Sequence, residues 1–312
     1  MRVLFICSGN SKQGISPIIK NQGDSLEKEK CKIEYYTIKG KGSWGYLKNV
    51  LPLKRFLKQN DVDVVHAHYS LSAFAASLAG AKPLIVSLMG SDVQAGYCYK
   101  FIIRIFAFLF SWKVIIVKSE DMKEMLGVRR ALVIPNGIDL ERFKPLDKIE
   151  CQKRLGWDIN KKHLLFAANP GRYEKNYSLV ESAIDMINDA NIQIHFFKDI
   201  PNAETPFWYN AADVVILTSL WEGSPNAIKE AMACCRPIVV TKVGDVEWLL
   251  ENENGCFLTD FNVGICARQI NEAIAFSQKN GKTNGRRRIN MLGLDSKSVA
   301  GKLEGIYKSM LN

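Results

Sequence analysis

Short β-branched and apolar runs alternate with stretches of helical spacing along the whole chain, and this rhythm restricts the fold more than any other feature. In the first half the runs fall at 3–7, 33–38, 62–66, 84–88, 114–117 and 132–134. Between them Tyr46, Val50, Leu53 and Leu57 recur at the spacing of one helical face, as do Leu71, Phe74, Ala75 and Leu78. Strand, helix, strand in repetition builds parallel sheets, because a parallel partner can be reached only through a crossover. The rhythm restarts after a charged, irregular stretch at 141–162, with runs at 163–168, 192–197, 214–218, 237–241 and 256–258. The expected class is α/β with two Rossmann-like parallel-sheet domains, a division that suits 312 residues. The boundaries expected are 1–144, a linker at 145–160, 161–294, and a C-terminal helix at 295–312 that could cross back to the first domain. Doubly wound sheets bind ligands beyond the carboxyl ends of their strands, so chemistry is sought in the loops after these runs and in a cleft between the domains.

Composition narrows the classes of partner. A formal charge of +10 favours anions such as a diphosphate, a membrane surface or nucleic acid. The basic clusters Lys28, Lys30, Lys32 and Arg286, Arg287, Arg288 read as solvated faces, and no zinc finger, RNP motif or aromatic-interleaved basic stripe supports nucleic-acid binding. The eight cysteines show no Cys-x-x-Cys pattern and lie mostly in apolar runs, as in the reduced core of a cytoplasmic protein. The only close pairs are Cys234 with Cys235 and His66 with His68, so no metal site is expected. The apolar run at 3–7 is too short for a signal peptide. The apolar region 101–117 is broken by Arg104 and Lys113, and reads as a buried helix followed by a strand rather than a membrane span. Basic charge beside 101–110 leaves peripheral contact with an anionic membrane as the alternative to a core helix.

The most informative segment is 218–247. After the run at 214–218, Ser224 has the chemistry of an N-cap and Pro225 suits the first helical position, opening a helix to about Cys234. The free N–H groups of Asn226 and Ala227 could then receive a phosphate or sugar oxygen. Glu222 precedes this helix and Glu230 lies inside it, so two carboxylates can accept hydrogen bonds from different parts of one extended ligand. The pattern of Glu222, Gly223, Pro225, Glu230, Ala231, Met232, Ala233, Pro237 and Gly244 resembles the Glu-x7-Glu region of the family 4 retaining glycosyltransferases (glycosyl transferases group 1), whose fold is GT-B. The resemblance implies that Glu222 contacts the donor hexose and Glu230 the ribose, with the backbone of Gly223, Ser224, Pro225 and Asn226 lining the diphosphate and sugar. The plainer alternative is a surface loop and an ordinary amphipathic helix.

A second constellation, 169–176, places Arg172 and Lys175 in one Gly- and Pro-bearing turn after a strand. Fixed cations there would stabilise charge growing on a leaving diphosphate more than they stabilise the ground state. Similar enzymes use an Arg and a Lys at this loop, whereas without the resemblance the two read as a solvated loop. In the first half, 134–145 resembles the family's Pro-Asn-Gly segment, with Pro135, Asn136 and Gly137 forming a tight turn. Gly14 resembles the family's glycine loop near donor phosphate and acceptor, though the usual pair of glycines is missing. His66 and His68 share one face near a strand end, one of them a candidate for facing the cleft; His68 is a candidate acceptor or sugar contact. In 86–93 the resemblance expects a His on the donor sugar, and this chain has Met89 there; Gly90 and Asp92 match, Asp92 as an acceptor contact or proton acceptor. Asp61 and Asp63 spell a metal-binding pattern of another glycosyltransferase fold, but they precede their run and so point away from the expected cleft.

The cationic loop fits a metal-independent reaction, and the resemblance implies transfer, with retention, of a hexose or N-acetylhexosamine from a nucleotide diphosphate sugar. The acceptor that the resemblance implies is a saccharide or lipid-linked saccharide in cell-surface polysaccharide synthesis, and no cofactor is expected. Two other readings stand beside it. One is a sugar-nucleotide epimerase or hydrolase of the same fold, and the other, prompted by Met89 and the short chain, is a non-catalytic sugar-nucleotide-binding subunit.

Overall fold

The computed structural model describes residues 1–11 and 14–311. It divides into unit 1, Met1–Gly137 with the segment from Ser296, and unit 2, Ile138–Asp295. Unit 1 runs β1 (Arg2–Ser8), α1 (Pro17–Lys28), β2 (Lys32–Ile38), α2 (Gly42–Lys48), α3 (Val50–Gln59), β3 (Val64–His68), α4 (Ser70–Ala79), β4 (Leu84–Ser87), α5 (Gly90–Gln94), α6 (Tyr97–Leu109), β5 (Val114–Val117), α7 (Glu120–Leu126) and β6 (Leu132–Val133). Unit 2 continues with α8 (Lys148–Leu155), β7 (Lys162–Phe166), α9 (Tyr177–Ile187), β8 (Ile192–Phe196), α10 (Thr205–Ala211), β9 (Val214–Leu217), α11 (Asn226–Ala233), β10 (Ile238–Thr241), α12 (Val246–Leu250), β11 (Cys256–Thr259), α13 (Val263–Asn280) and α14 (Gly285–Met291). The last helix, α15 (Ser296–Lys308), belongs to unit 1.

Both sheets are parallel throughout, in the orders β2-β1-β3-β4-β5-β6 and β11-β10-β9-β7-β8. Alternate residues of β1 serve opposite faces of the first sheet. Val3, Phe5 and Cys7 meet α1 and α15, while Leu4 and Ile6 meet a core built with α2, α3, α4 and α6. The run expected at 62–66 begins two residues later, because the Asp63 carboxylate accepts the Arg2 N–H at 2.7 Å and closes the strand's entrance. Asp61 and Asp63 thus sit at the amino end of the sheet, lining a shallow hollow of about 260 Å³ with Gly80 and Lys82.

Two expectations need correction. The stretch 145–160 is no linker, since α8 occupies it and packs inside unit 2. Asp147 caps this helix by accepting the Glu150 N–H at 2.9 Å, and Cys151 and Trp157 bury against Ala211. Its charges are the outer face of an amphipathic helix, so the division falls instead at Gly137 and Ile138. Nor is the apolar region from Phe101 a buried helix before its strand: only Ile103 and Ala107 of α6 are buried. Among the described residues no helix is long and apolar enough to cross a membrane.

Helix α15 is integral to unit 1. Val299, Ala300, Leu303 and Tyr307 are buried against Val3, Phe5, Leu26 and Ile33. The Tyr307 hydroxyl lies 2.6 Å from Nδ1 of buried His66, whose Nε2 lies 2.8 Å from the Ser87 hydroxyl. Burial holds the His66 imidazole well below its ordinary pKa, with neighbouring His68 and Lys118 adding to the effect. Leu303→Ala should therefore cost unit 1 about 2–5 kcal/mol. Hydrogen exchange should show the β1 and β3 amides losing protection while those of β7 and β9 keep theirs.

Candidate functional site

Strand order in unit 2 reverses at β7, with β8 on one side and β9 on the other. The loops leaving β7 and β9 therefore flank a topological switch point, where open α/β sheets leave room for a ligand. Backbone and hydroxyl hydrogen bonds hold these two loops together. The Leu220 N–H donates to the Glu174 carbonyl at 2.9 Å, and the Thr218 hydroxyl reaches the carbonyls of Lys175 at 3.2 Å and Asn176 at 3.0 Å. A 3-10 turn, Tyr173–Lys175, ends at Asn176 in the left-handed region (φ 51°), which an Asn tolerates better than most residues.

On this frame Lys175 donates to Glu222 in a direct ion pair. Ser219 supports the carboxylate, its hydroxyl donating to Oε1 at 2.7 Å, and the Thr241 hydroxyl fixes the Ser219 carbonyl at 2.7 Å. The Lys175 and Glu222 side chains are 13% and 16% exposed, so the pair is well shielded yet open at its rim. Lys175 has three N–H donors, so one can hold Glu222 while others address an anion. Arg172 is placed differently. Its guanidinium is 58% exposed and paired with Glu174, to which Nε donates at 2.7 Å. The structure thus brings Lys175 to Glu222 and leaves Arg172 on the loop's outer side.

The turn carrying Glu222 is fixed by a close backbone approach. Gly244 has φ 58°, and a Cβ there would stand 2.8 Å from the Glu222 carbonyl oxygen and closer still to that of Gly223. The next residue, Asp245, donates its N–H to the Gly223 carbonyl at 3.2 Å. Helix α11 begins at Asn226 with Pro225 in the capping position and no side-chain cap. This corrects the expectation for Ser224, whose hydroxyl is buried without a hydrogen-bond partner among the described residues, as is Oδ1 of Asn226.

Glu230 lies one turn further along α11 and is only partly open to solvent. Buried Tyr209 donates its hydroxyl to Oε2 at 2.8 Å. Burial raises the Glu230 carboxyl to about 7, against the opposing pull of the Tyr209 hydrogen bond and the charges of Arg142 and Lys229. Lys229 is fully buried, and burial lowers its ammonium to about 8 although Asp245 and Glu230 favour the charged form. Ser219, Tyr209, Lys229 and Asp245 escaped the sequence reading. Only Ser219, three residues before Glu222, carried a local signal.

In unit 1 the candidates divide. Gly14 has φ 76°, open space where a Cβ would project, and an N–H donating to the Ser11 carbonyl at 3.0 Å; its neighbours 12 and 13 lie outside the described residues. Asp92 is fully buried and is no open acceptor contact: its carboxylate accepts the Ser70 N–H at 3.0 Å, the Ser70 hydroxyl and the Met89 N–H. It thereby ties the start of α4 to that of α5, while burial raises it to about 6. His68 shares its face with His66, as the alternation requires, but it faces inward. It is 1% exposed, stacked on His66 at 4.3 Å and edge-on to Phe5 at 4.5 Å. Burial lowers its imidazole to about 3. Met89 is partly buried against the core on the α15 side, and Gly90 opens α5. Among the described residues no group of three or more His, Cys, Asp or Glu side chains could hold a metal ion.

Comparison with known proteins follows the same division. A family model described as Glycosyl transferases group 1 matches residues 160–275, and one described as Glycosyltransferase Family 4 matches residues 20–142. The chain is 28% identical to the Escherichia coli UDP-Gal:alpha-D-GlcNAc-diphosphoundecaprenol alpha-1,3-galactosyltransferase, over 69% of this chain and 67% of that one. A relative from Bacillus subtilis strain 168, TuaC, named for teichuronic acid biosynthesis, is 29% identical over 62% of this chain and 57% of its own length. Sucrose-phosphate synthase from Thermosynechococcus elongatus superposes with a TM-score of 0.84 at 15% identity, covering 99% of both chains. Anabaena HepE in complex with UDP gives 0.77 at 18% identity, covering 99% of this chain and 100% of that one. These neighbours establish the fold class as the two-sheet α/β GT-B architecture.

The Gly244 contact makes a direct prediction. Gly244→Ala forces both a left-handed alanine and a collision with the 222–223 carbonyls, so unit 2 should lose at least about 2 kcal/mol. A urea midpoint for unit 2 equal to that of the native chain would refute the contact.

Proposed function

We propose, since this chain belongs to the family 4 glycosyltransferases of group 1, that it transfers a hexose or N-acetylhexosamine from a nucleotide diphosphate sugar with retention of configuration. The observation that carries the reading is the Lys175–Glu222 pair at the switch point of unit 2, held by Ser219 and seated on the Gly223–Gly244 contact. In this reading the donor diphosphate lies at Lys175, with Arg172 turning inward from Glu174 to join it. The sugar hydroxyls donate to Glu222 and the ribose hydroxyls to Glu230. As the bond from the anomeric carbon to the diphosphate breaks, charge gathers on the leaving phosphate beside Lys175. A cation already in place stabilises that charge without reorganisation. Neither glutamate is required as a covalent nucleophile, and no metal is needed to neutralise the leaving group.

UDP is the nucleotide we favour, since HepE was solved with UDP and the E. coli relative is named for UDP-Gal. That relative's name also supports a lipid-linked saccharide as acceptor, and the teichuronic acid relative supports cell-surface polysaccharide synthesis. Acceptor binding is assigned to unit 1, on the side of Gly14, Met89 and Gly90.

With UDP- and GDP-sugars and saccharide acceptors, the protein should release nucleoside diphosphate only when an acceptor is present. Glu222→Ala should lower that rate at least about a hundredfold. Unchanged turnover in the variant would remove Glu222 from the site, and acceptor-independent release would favour the epimerase or hydrolase reading. Tight donor binding without turnover, restored by Met89→His, would favour a binding subunit.

Glu230 adds a pH dependence. A carboxyl raised to about 7 takes up a proton as the pH falls through that value and then accepts less well from ribose hydroxyls. Affinity for UDP-glucose, whose diphosphate diester does not itself titrate there, should weaken severalfold from about pH 8 to about pH 6. Calorimetry should show that slope flattened in Glu230→Gln.

A further inference from the structure

Every residue of α6 that is exposed is apolar: Tyr97, Cys98, Phe101, Ile102, Ile105, Phe108 and Leu109. Single exposed apolar residues are ordinary, but a helix face with no polar member is a patch that water solvates poorly. Phe108 is 82% exposed and Tyr97 73%, so these side chains project fully. On the same face of the first sheet, α2 and α3 pack beside α4, which also meets α6, and they expose Trp44 and Leu51, each 66%.

The segments that carry α2, α3 and α6 hold charge of one sign, while α7, to which Arg104 reaches, exposes Glu120, Asp121 and Glu124. Residues 35–60 and 93–119 contain ten Lys or Arg and no Asp or Glu, a positive excess equal to the net charge of the whole chain. Lys118 is buried, and Arg104 is turned to the Leu126 carbonyl at 2.6 Å, which leaves eight other cations on these segments. Lys39, Lys41, Lys48, Lys54, Arg55, Lys58 and Lys113 are all exposed.

We propose that unit 1 docks on an anionic lipid surface, with the apolar face of α6 entering the headgroup boundary and the flanking lysines and arginine meeting the lipid phosphates. A helix of 13 residues is about 20 Å long, too short to span a bilayer but suited to lie in its surface. Protein interfaces are depleted in lysine, and a two-fold contact through α6 would set the same lysines of two copies against one another, whereas anionic lipid is drawn to them. The inference rests on unit 1 alone and not on the transfer reaction.

Vesicle flotation of the full chain, without donor or acceptor, tests it. The protein should float with phosphatidylcholine–phosphatidylglycerol vesicles, bind pure phosphatidylcholine at least about tenfold more weakly, and be released by salt. Ile102→Asp with Phe108→Asp, both at exposed positions, should lower binding at least about tenfold. Lys54→Glu with Arg55→Glu should weaken it on anionic vesicles alone. Circular dichroism and the unfolding midpoint should match the native chain in all variants. The proposal is overturned if the native protein fails to float, if the aspartate pair floats undiminished, or if sedimentation shows a dimer that this pair dissolves while lipid binding is absent.

Discussion

The ion pair between Lys175 and Glu222 crosses the switch point of the second sheet, and the local structure is organised around keeping it there. A shielded pair gives back little stability once desolvation is counted, so its value lies in position. Holding it requires the Ser219 hydroxyl under the carboxylate, the Thr218 hydroxyl under the Lys175 carbonyl, and a glycine at 244 so that two backbone segments can touch. Each group charges the other's surroundings before any ligand arrives. In the proposed reaction a diphosphate would meet a cation that is already shielded and held in place.

The fold was legible because parallel sheets write a strong pattern. All eleven strands among the described residues overlap runs visible in the sequence, and the Glu-x7-Glu segment follows β9. What escaped the reading are interactions between segments distant along the chain. Tyr209 under Glu230 and Asp245 beside Lys229 depend on how α10, α11 and the loop after β10 stack, which no local spacing announces. The linker at 145–160 failed for a related reason: a short helix with one buried side looks irregular and charged when its buried face is only Cys151 and Gln152.

Unit 1 shows how identity at a motif and role at a site can separate. Asp92 stands where the family pattern places it, yet its carboxylate is satisfied by three donors from Ser70 and Met89. It organises two helix starts, those of α4 and α5. His68 is likewise spent on packing, stacked against His66. Among the described residues of this unit every lysine except Lys32 lies outside the strands.

The return of α15 to unit 1 bears on the order of folding during synthesis. The chain passes between units at Gly137 and again at Asp295, so the second unit is complete while the first still lacks its final helix. Until Val299, Leu303 and Tyr307 leave the ribosome, Phe5 and Ile33 lack the cover of α15 beside that of α1, and His66 lacks its tyrosine partner. The half made first is therefore finished last, and its sheet stays open to misassociation for the time needed to translate some 170 residues.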